Sequence, residues 1–190
     1  FASCGYALCI VDTGGSHSDL TDEYAAVRKE MESVAAYLGK SVLREVDESE
    51  FMKNIADIRS SCGDRAVLRA MHFYGDNARV EKQATALRAG DFKTFMKYII
   101  ESGRSSYMYN QNVYSCKKAA EQPVSLALSL SEKLLDGCGA WRVHGGGFAG
   151  TIQAFVPLNK LDEYKDLMER VFGSGSCYVL SVRPVGGVEL

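Results

Sequence analysis

The chain has 190 residues, of which 46% are hydrophobic and 24% are charged, and its formal net charge is -2. This composition is typical of a globular domain, and the length allows one well-buried core but not two full-sized enzyme domains. Nucleic acid is not expected as a partner, because binding to a phosphate backbone needs a basic surface. No apolar run reaches the roughly 18 residues of a membrane span, so we expect a cytoplasmic protein without a membrane partner.

The cysteines and the start of the chain give two further expectations. The 6 cysteines are scattered, and none is spaced from another cysteine or from a histidine as in a zinc site. We therefore expect reduced, mostly buried thiols and no metal site. The first residue is Phe1, and a strand-like run begins at Tyr6 without any basic, signal-like segment before it. We expect this chain to be part of a longer protein.

Hydrophobic periodicity predicts that helices fill most of the chain after the first strand. The first helix is amphipathic, with a cap at Thr21 and an end at Gly39, and acidic residues in its first turn suit the helix dipole. The second helix begins at Asp47 with a capping box formed with Glu50. The predicted helices span residues 21–38, 47–62, 64–89, 92–100 and 123–135.

The pattern changes to strands towards the end of the chain. Strands are predicted at residues 6–11, 140–143, 151–156 and 177–182, with one more helix at 161–171. The order is strand, helices, strand, strand, helix, strand. With the helices from about 47 to 136 treated as an insertion, this order predicts an α+β fold with the β-α-β-β-α-β split motif of ferredoxin-like proteins.

A glycine-rich loop between two predicted strands is the densest chemical signal. It contains Gly145, Gly146 and Gly147 in succession, and Gly150 completes a G-x-G-x-x-G pattern. A dinucleotide site is excluded because that pattern must open a helix, whereas a strand follows here. A protein-kinase loop is excluded because the later lysine and aspartate motifs are missing. Glycines let a backbone approach a phosphate with several N–H groups, so the loop is either an anion cradle or a hairpin turn without a ligand.

Other chemically suggestive residues have simpler explanations. Asp12-Thr13-Gly14 is the tripeptide of aspartic proteases, but the required second copy is missing, which favours a strand-to-loop turn. His72 and Asp76 lie one helical turn apart without a third metal ligand. We expect His17, His72 and His144 to be structural. Ser16 and Ser18 beside His17 do not form the nucleophile elbow of a hydrolase.

Two separated blocks resemble a known kinase family. The run R-V-H-G-G-G-F-A-G-T-I-Q-A-F-V, at 142–156, resembles the third motif of the superfamily named for galactokinase, homoserine kinase, mevalonate kinase and phosphomevalonate kinase. The run V-D-T-G-G-S-H-S-D-L-T-D-E-Y-A-A-V-R-K-E-M, at 11–31, resembles the galactokinase stretch whose helix carries an early tyrosine. The segments at 44–46, 87–92 and 101–102 are similar to galactokinase as well, so the resemblance covers essentially the whole chain.

The resemblance implies the carboxy-terminal domain of a galactokinase over residues 1–190, with the amino-terminal half absent. Tyr24 would contact the sugar, and Gly145, Gly146 and Gly147 would border the place where the ATP phosphates meet the sugar hydroxyl. The sequence departs from the family pattern at three positions. Arg142 and His144 stand where many members have lysine and threonine or serine, and Ala149 stands where glycine is frequent.

The family's reaction, by the same resemblance, is transfer of a phosphoryl group from MgATP to galactose, giving galactose 1-phosphate. Its catalytic aspartate and arginine, its G-R-x-N-x-I-G-E-H-x-D-Y segment and its G-L-S-S-S-A loop belong to the preceding half. None of these occurs here. We expect no catalytic or metal-binding residue in this chain, ATP and Mg²⁺ bound mainly by the absent half, and no kinase activity in these residues alone. A sugar-responsive regulator and a kinase for an arabinose or amino-sugar derivative remain alternatives.

Overall fold

The computed structural model describes residues 2–15 and 20–182. The helices are α1 Thr21–Tyr37, α2 Glu48–Lys53, α3 Ile55–Cys62, α4 Asp64–Arg88, α5 Phe92–Ser105, α6 Pro123–Leu135 and α7 Leu161–Phe172. The strands are β1 Tyr6–Asp12, β2 Ala140–His144, β3 Thr151–Pro157 and β4 Cys177–Leu180. None of the helices in these described ranges is long and apolar enough to cross a membrane.

The four strands form one antiparallel sheet in the order β2-β3-β1-β4. β2 and β3 form a hairpin, and β1 lies between β3 and β4, as the split β-α-β motif requires. Helices α6 and α7 share a hydrophobic core with one face of this sheet. The predicted α+β fold class is therefore confirmed.

Alternation along the strands separates the sheet's two faces. On one face, Cys9 and Ile152 are fully buried against the inward side of α6 and α7. Tyr164 of α7 is also fully buried, and its hydroxyl is satisfied by the Ser131 hydroxyl of α6 at 2.9 Å. On the opposite face, Phe155 packs edge-on against Phe95 of α5, with ring centroids 5.3 Å apart.

A second core lies among helices and the segment that joins α1 to α2. Residues of α1, α3 and α4 bury one another away from the sheet; Val34, Ala35, Ile58 and Ala70 are fully buried there. The predicted bounds of the helical insertion, about 47 to 136, stay a prediction. Helix α6 lies within those bounds but packs on the sheet, whereas α1 lies before them and shares the helical core.

The sequence prediction was wrong at several element ends. The single helix predicted at 47–62 is two helices, because Asn54 ends α2 and turns its side-chain amide onto the Glu50 carbonyl at 2.8 Å. Thr21 does not cap α1, since Leu20 occupies the cap position without a side-chain bond. Asp47 does cap α2, accepting from the Ser49 amide at 2.8 Å. Strand β4 ends at Leu180 rather than at residue 182.

Helix α5 runs past its predicted end into a π-helical turn at Ser106–Asn110. This turn ends at Gln111, which has a left-handed backbone with φ of 55°. Such turns are rare and often occur near functional sites. Hydrophobic spacing could not reveal the turn, because a π-turn breaks the helical period on which the prediction depends.

A partly buried polar network joins α4, α5 and β2. The Asp76 carboxylate accepts from the Ser102 hydroxyl at 2.6 Å and from Arg79 Nε at 3.0 Å. Arg142 of β2 donates to the same Ser102 hydroxyl at 2.8 Å. Burial alone would raise the pKa of Asp76, but the hydrogen bonds from Ser102 and Arg79 outweigh it and hold that pKa below its usual value.

Asp76→Asn tests what the ionised carboxylate contributes to stability. The unfolded carboxyl has a pKa of about 3.9 and the folded one a lower value, so its contribution is present above about pH 4 and is lost as pH falls through the folded pKa. We expect the free energy of unfolding at neutral pH to be about 2 kcal/mol lower in the variant than in the unaltered chain. This difference should disappear in acid.

Urea unfolding across the pH range measures this gap. Asp166→Asn, in an exposed position of α7, is the matched control and should change the unfolding free energy by less than about 0.5 kcal/mol. A gap between Asp76→Asn and the unaltered chain that does not depend on pH would contradict this account.

Candidate functional site

The glycine-rich loop, residues 145–150, joins β2 to β3. Gly145 and Gly147 have φ of 68° and 85°, a region that side chains disfavour. Phe148 has φ of 61° although it is not a glycine, which costs roughly 1–2 kcal/mol. Gly145 and Gly146 are exposed, whereas Gly147 and Phe148 are buried. The loop thus has an exposed tip and a strained, buried base.

Tyr24, in the first turn of α1, lies directly on this loop. Its hydroxyl donates to the Gly147 carbonyl at 2.9 Å, and its ring meets Phe148 edge-on with centroids 5.1 Å apart. A Cβ added at Gly146 would lie 2.6 Å from Tyr24 Cε1, so the close approach requires glycine. Burial raises the pKa of Tyr24, which keeps the hydroxyl protonated at neutral pH. The structure brings together all four residues singled out from the sequence.

Asn112 holds the loop from its other side. Its backbone carbonyl accepts from the Phe148 amide at 2.6 Å, and its side-chain Nδ2 donates to the Gly146 carbonyl at 3.2 Å. A Cβ at Gly147 would overlap the Asn112 carbonyl oxygen. Asn112 was missed by the sequence analysis, because it follows the unpredicted π-turn and no motif or period includes it.

These contacts orient the backbone amides of the loop. The peptide between Gly146 and Gly147 is trans, so its N–H points away from the carbonyl that Asn112 Nδ2 contacts. Within residues 2–15 and 20–182, neither the Gly146 amide nor the Gly147 amide donates to a backbone or side-chain acceptor. Amide donors without a protein acceptor beside an exposed tip can bind an anionic ligand.

The segment after β1 lies beside the glycine loop. Asp12 accepts from the Gly14 amide at 2.9 Å, and Thr13 Oγ1 donates to the Gly150 carbonyl at 2.6 Å. Asp12-Thr13-Gly14 is therefore the strand-to-loop turn expected from the sequence. An open groove of about 640 Å³ borders both segments; its lining includes Thr13, Gly15, Lys118, Gln122, Phe148 and Ala149.

The remaining sequence candidates lie in α4, in β2 just before the loop, or outside the described residues. His72 is buried in α4, where it bonds the Ser105 hydroxyl at 2.9 Å, and burial lowers its pKa. His144 is exposed and bonds Gln153 at 3.1 Å. Arg142 is turned towards Ser102 rather than towards the glycines. His17, Ser16 and Ser18 lie outside the described residues, and the described part of the chain contains no cluster of metal-ligating side chains.

Comparison with solved structures relates this fold to one class of enzyme. A crystal structure of Lactococcus lactis galactokinase complexed with galactose matches 92% of this chain and 45% of its own chain, with a TM-score of 0.67 and 22% sequence identity. At that identity the likeness defines the fold alone: the chain folds like part of a galactokinase.

Sequence comparison relates the chain to galactokinases. Human galactokinase is 31% identical over 175 residues, which are 92% of this chain and 42% of the human protein. Galactokinase of Actinobacillus pleuropneumoniae serotype 5b is 25% identical over 164 residues, 86% of this chain and 41% of that protein. No protein-family model matches the chain. The chain is a galactokinase homologue that spans about two fifths of its relatives' length, consistent with the carboxy-terminal portion predicted from the sequence.

Paired alanine substitutions test the tight packing of the loop. Gly145→Ala and Gly147→Ala both place a side chain at positive φ, at a cost of roughly 1–2 kcal/mol. Only Gly147→Ala also forces the loop away from Asn112, since nothing lies within 4 Å of a Cβ at Gly145. We expect Gly147→Ala to lower the unfolding free energy by about 2 kcal/mol more than Gly145→Ala, measured by urea unfolding. Equal losses would contradict the packing described.

Proposed function

We propose that the protein containing this chain is a galactokinase, which transfers the γ-phosphoryl group of ATP to galactose and forms galactose 1-phosphate. The observation that carries the proposal is the contact between Tyr24 and the glycine loop, which joins the two segments that resemble the family. The galactokinase relatives support the same reaction. Because the reaction consumes ATP, a cytoplasmic location follows from the proposal.

The glycine loop would bind the phosphates of ATP near the acceptor hydroxyl. The Gly146 and Gly147 amides supply donors, and the exposed tip at Gly145 and Gly146 admits a large ligand. Phosphoryl transfer depends mainly on positioning and on stabilising negative charge, which preorganised amides do without moving. This role requires no side chain from the loop, in keeping with its glycines.

Tyr24 would contact the sugar at the same place. Its hydroxyl is protonated at neutral pH and donates to the Gly147 carbonyl, and a phenolic oxygen can accept a bond while it donates one. A sugar hydroxyl that donates to Tyr24 would then lie beside the phosphate-binding amides. One side chain would thus couple the sugar position to the loop.

Mg²⁺ and the catalytic groups would come from the other part of the protein. The loop offers N–H donors, which suit phosphate and not a cation, and residues 2–15 and 20–182 hold no cluster of metal ligands. Mg²⁺ would offset phosphate charge during transfer. This chain would form one wall of the cleft, and we propose that these residues by themselves do not phosphorylate sugar.

Phosphorylation of galactose by the complete protein is the direct test. We expect MgATP and galactose to give galactose 1-phosphate with the complete protein and no product with residues 1–190, measured by a coupled ADP assay and by product analysis. Galactose binding without turnover would point to a sugar-binding regulator instead. Turnover of an arabinose or amino-sugar derivative but not of galactose would refute the specific substrate.

Tyr24→Phe tests the sugar contact within the complete protein. Loss of one hydroxyl should raise the KM for galactose about fivefold, because a hydrogen bond worth about 1 kcal/mol is removed at an oriented site. Tyr37→Phe is the matched control, since Tyr37 lies on the same helix and is 43% exposed. An unchanged KM for galactose in Tyr24→Phe would remove Tyr24 from the sugar site.

A further inference from the structure

We infer that Asn112 is a positioning residue for the glycine loop and keeps the Gly146–Gly147 peptide in the orientation that binds phosphate. This inference rests on the proposed function for its catalytic consequence. Its structural basis is independent of that function, because Asn112 contacts the loop at two points, through Nδ2 on Gly146 and through its carbonyl on Phe148.

Backbone strain is concentrated at this contact. Gln111 and Phe148 are the two non-glycine residues with positive φ in the described part of the chain. Gln111 immediately precedes Asn112, and Phe148 donates to the Asn112 carbonyl. Strained conformations cost of order 1–3 kcal/mol each, persist only where surrounding contacts enforce them and cluster at functional sites. Both strained residues thus lie at the hydrogen bond between the Phe148 amide and the Asn112 carbonyl, which holds the base of the loop.

The hydrogen bond from Asn112 Nδ2 to the Gly146 carbonyl fixes the direction of the Gly147 N–H. A peptide between two glycines meets little steric resistance to rotation, because neither residue has a Cβ. Rotation would turn the Gly147 N–H towards Asn112 and the Gly146 carbonyl towards the bound phosphates, replacing attraction by repulsion. The Asn112 Nδ2 bond opposes that rotation from inside the fold.

Asparagine at position 112 is destabilising in one respect, and its role in positioning the loop accounts for its presence. Asn112 is 5% exposed, and its Oδ1 is buried without a partner among the described residues. An unsatisfied buried acceptor is destabilising, so packing alone would favour an apolar residue here. The Nδ2 donor to Gly146 is the feature that an apolar side chain could not supply.

Asn110 provides a matched control. It lies two positions earlier, is 8% exposed, and its Oδ1 is likewise buried without a partner in the described residues. Its carbonyl accepts from Arg69 at 3.0 Å, and the described residues show no hydrogen bond between Asn110 and the glycine loop. Asn110→Asp therefore buries a carboxyl group, as Asn112→Asp does, but removes no hydrogen bond to the loop.

The experiment compares Asn112→Asp with Asn110→Asp in the complete protein. Asn112→Asp keeps the side-chain size but replaces the donor by an oxygen that repels the Gly146 carbonyl. We expect kcat/KM for ATP to fall about tenfold more in Asn112→Asp than in Asn110→Asp, with a smaller change in KM for galactose. Amide hydrogen exchange of the peptide covering 144–150 should speed up in Asn112→Asp alone.

Equal kinetics and equal exchange in the two variants would overturn the inference, as would faster exchange throughout the protein rather than in the loop. Should Asn112→Asp not fold, Asn112→Ala is compared with Asn110→Ala by the same two measurements. If the unaltered protein transfers no phosphoryl group, the proposed function fails. The exchange comparison then still decides whether Asn112 positions the loop.

Discussion

The pairing of β1 with β3 at the centre of the sheet is the constraint on which the candidate site depends. Its register sets Asp12 opposite Thr151, so the segment leaving β1 and the loop entering β3 emerge side by side. Helix α1 begins shortly afterwards, and its first turn then reaches the glycines. A shift of this register by one residue would turn Cys9 and Val11 out of the core, so burial of those side chains also fixes the site's geometry.

The loop itself is held by opposing contacts rather than by its own sequence. Tyr24 binds the Gly147 carbonyl from α1, and Asn112 binds the Gly146 carbonyl and the Phe148 amide from the segment after the π-turn. Glycines allow this close approach but do not select one conformation, because they can adopt many. The contacts of Tyr24 and Asn112 select it, and they leave the Gly146 and Gly147 amides without an acceptor among the described residues.

Helix α5, whose π-turn leads to Asn112, is anchored together with α4 to the sheet by polar groups. Arg142, in the strand that leads into the loop, bonds Ser102, which bonds Asp76. In this network Arg142 is directed towards Ser102. At this position the side chain attaches the α4–α5 pair to β2 instead of contacting a ligand.

The sequence by itself determined the fold class, the hairpin around the glycines, most helices and the kinship with galactokinases, because these depend on local period, composition and motif. It failed at Asn54 and at the π-turn, where side-chain bonds and an altered helical repeat override that period. Only the tertiary structure decided that Tyr24 and Asn112 contact the same loop, and that Arg142 bonds Ser102. Those contacts join residues far apart in the chain, and local patterns carry no information about which distant groups the packing of the sheet and helices will bring together.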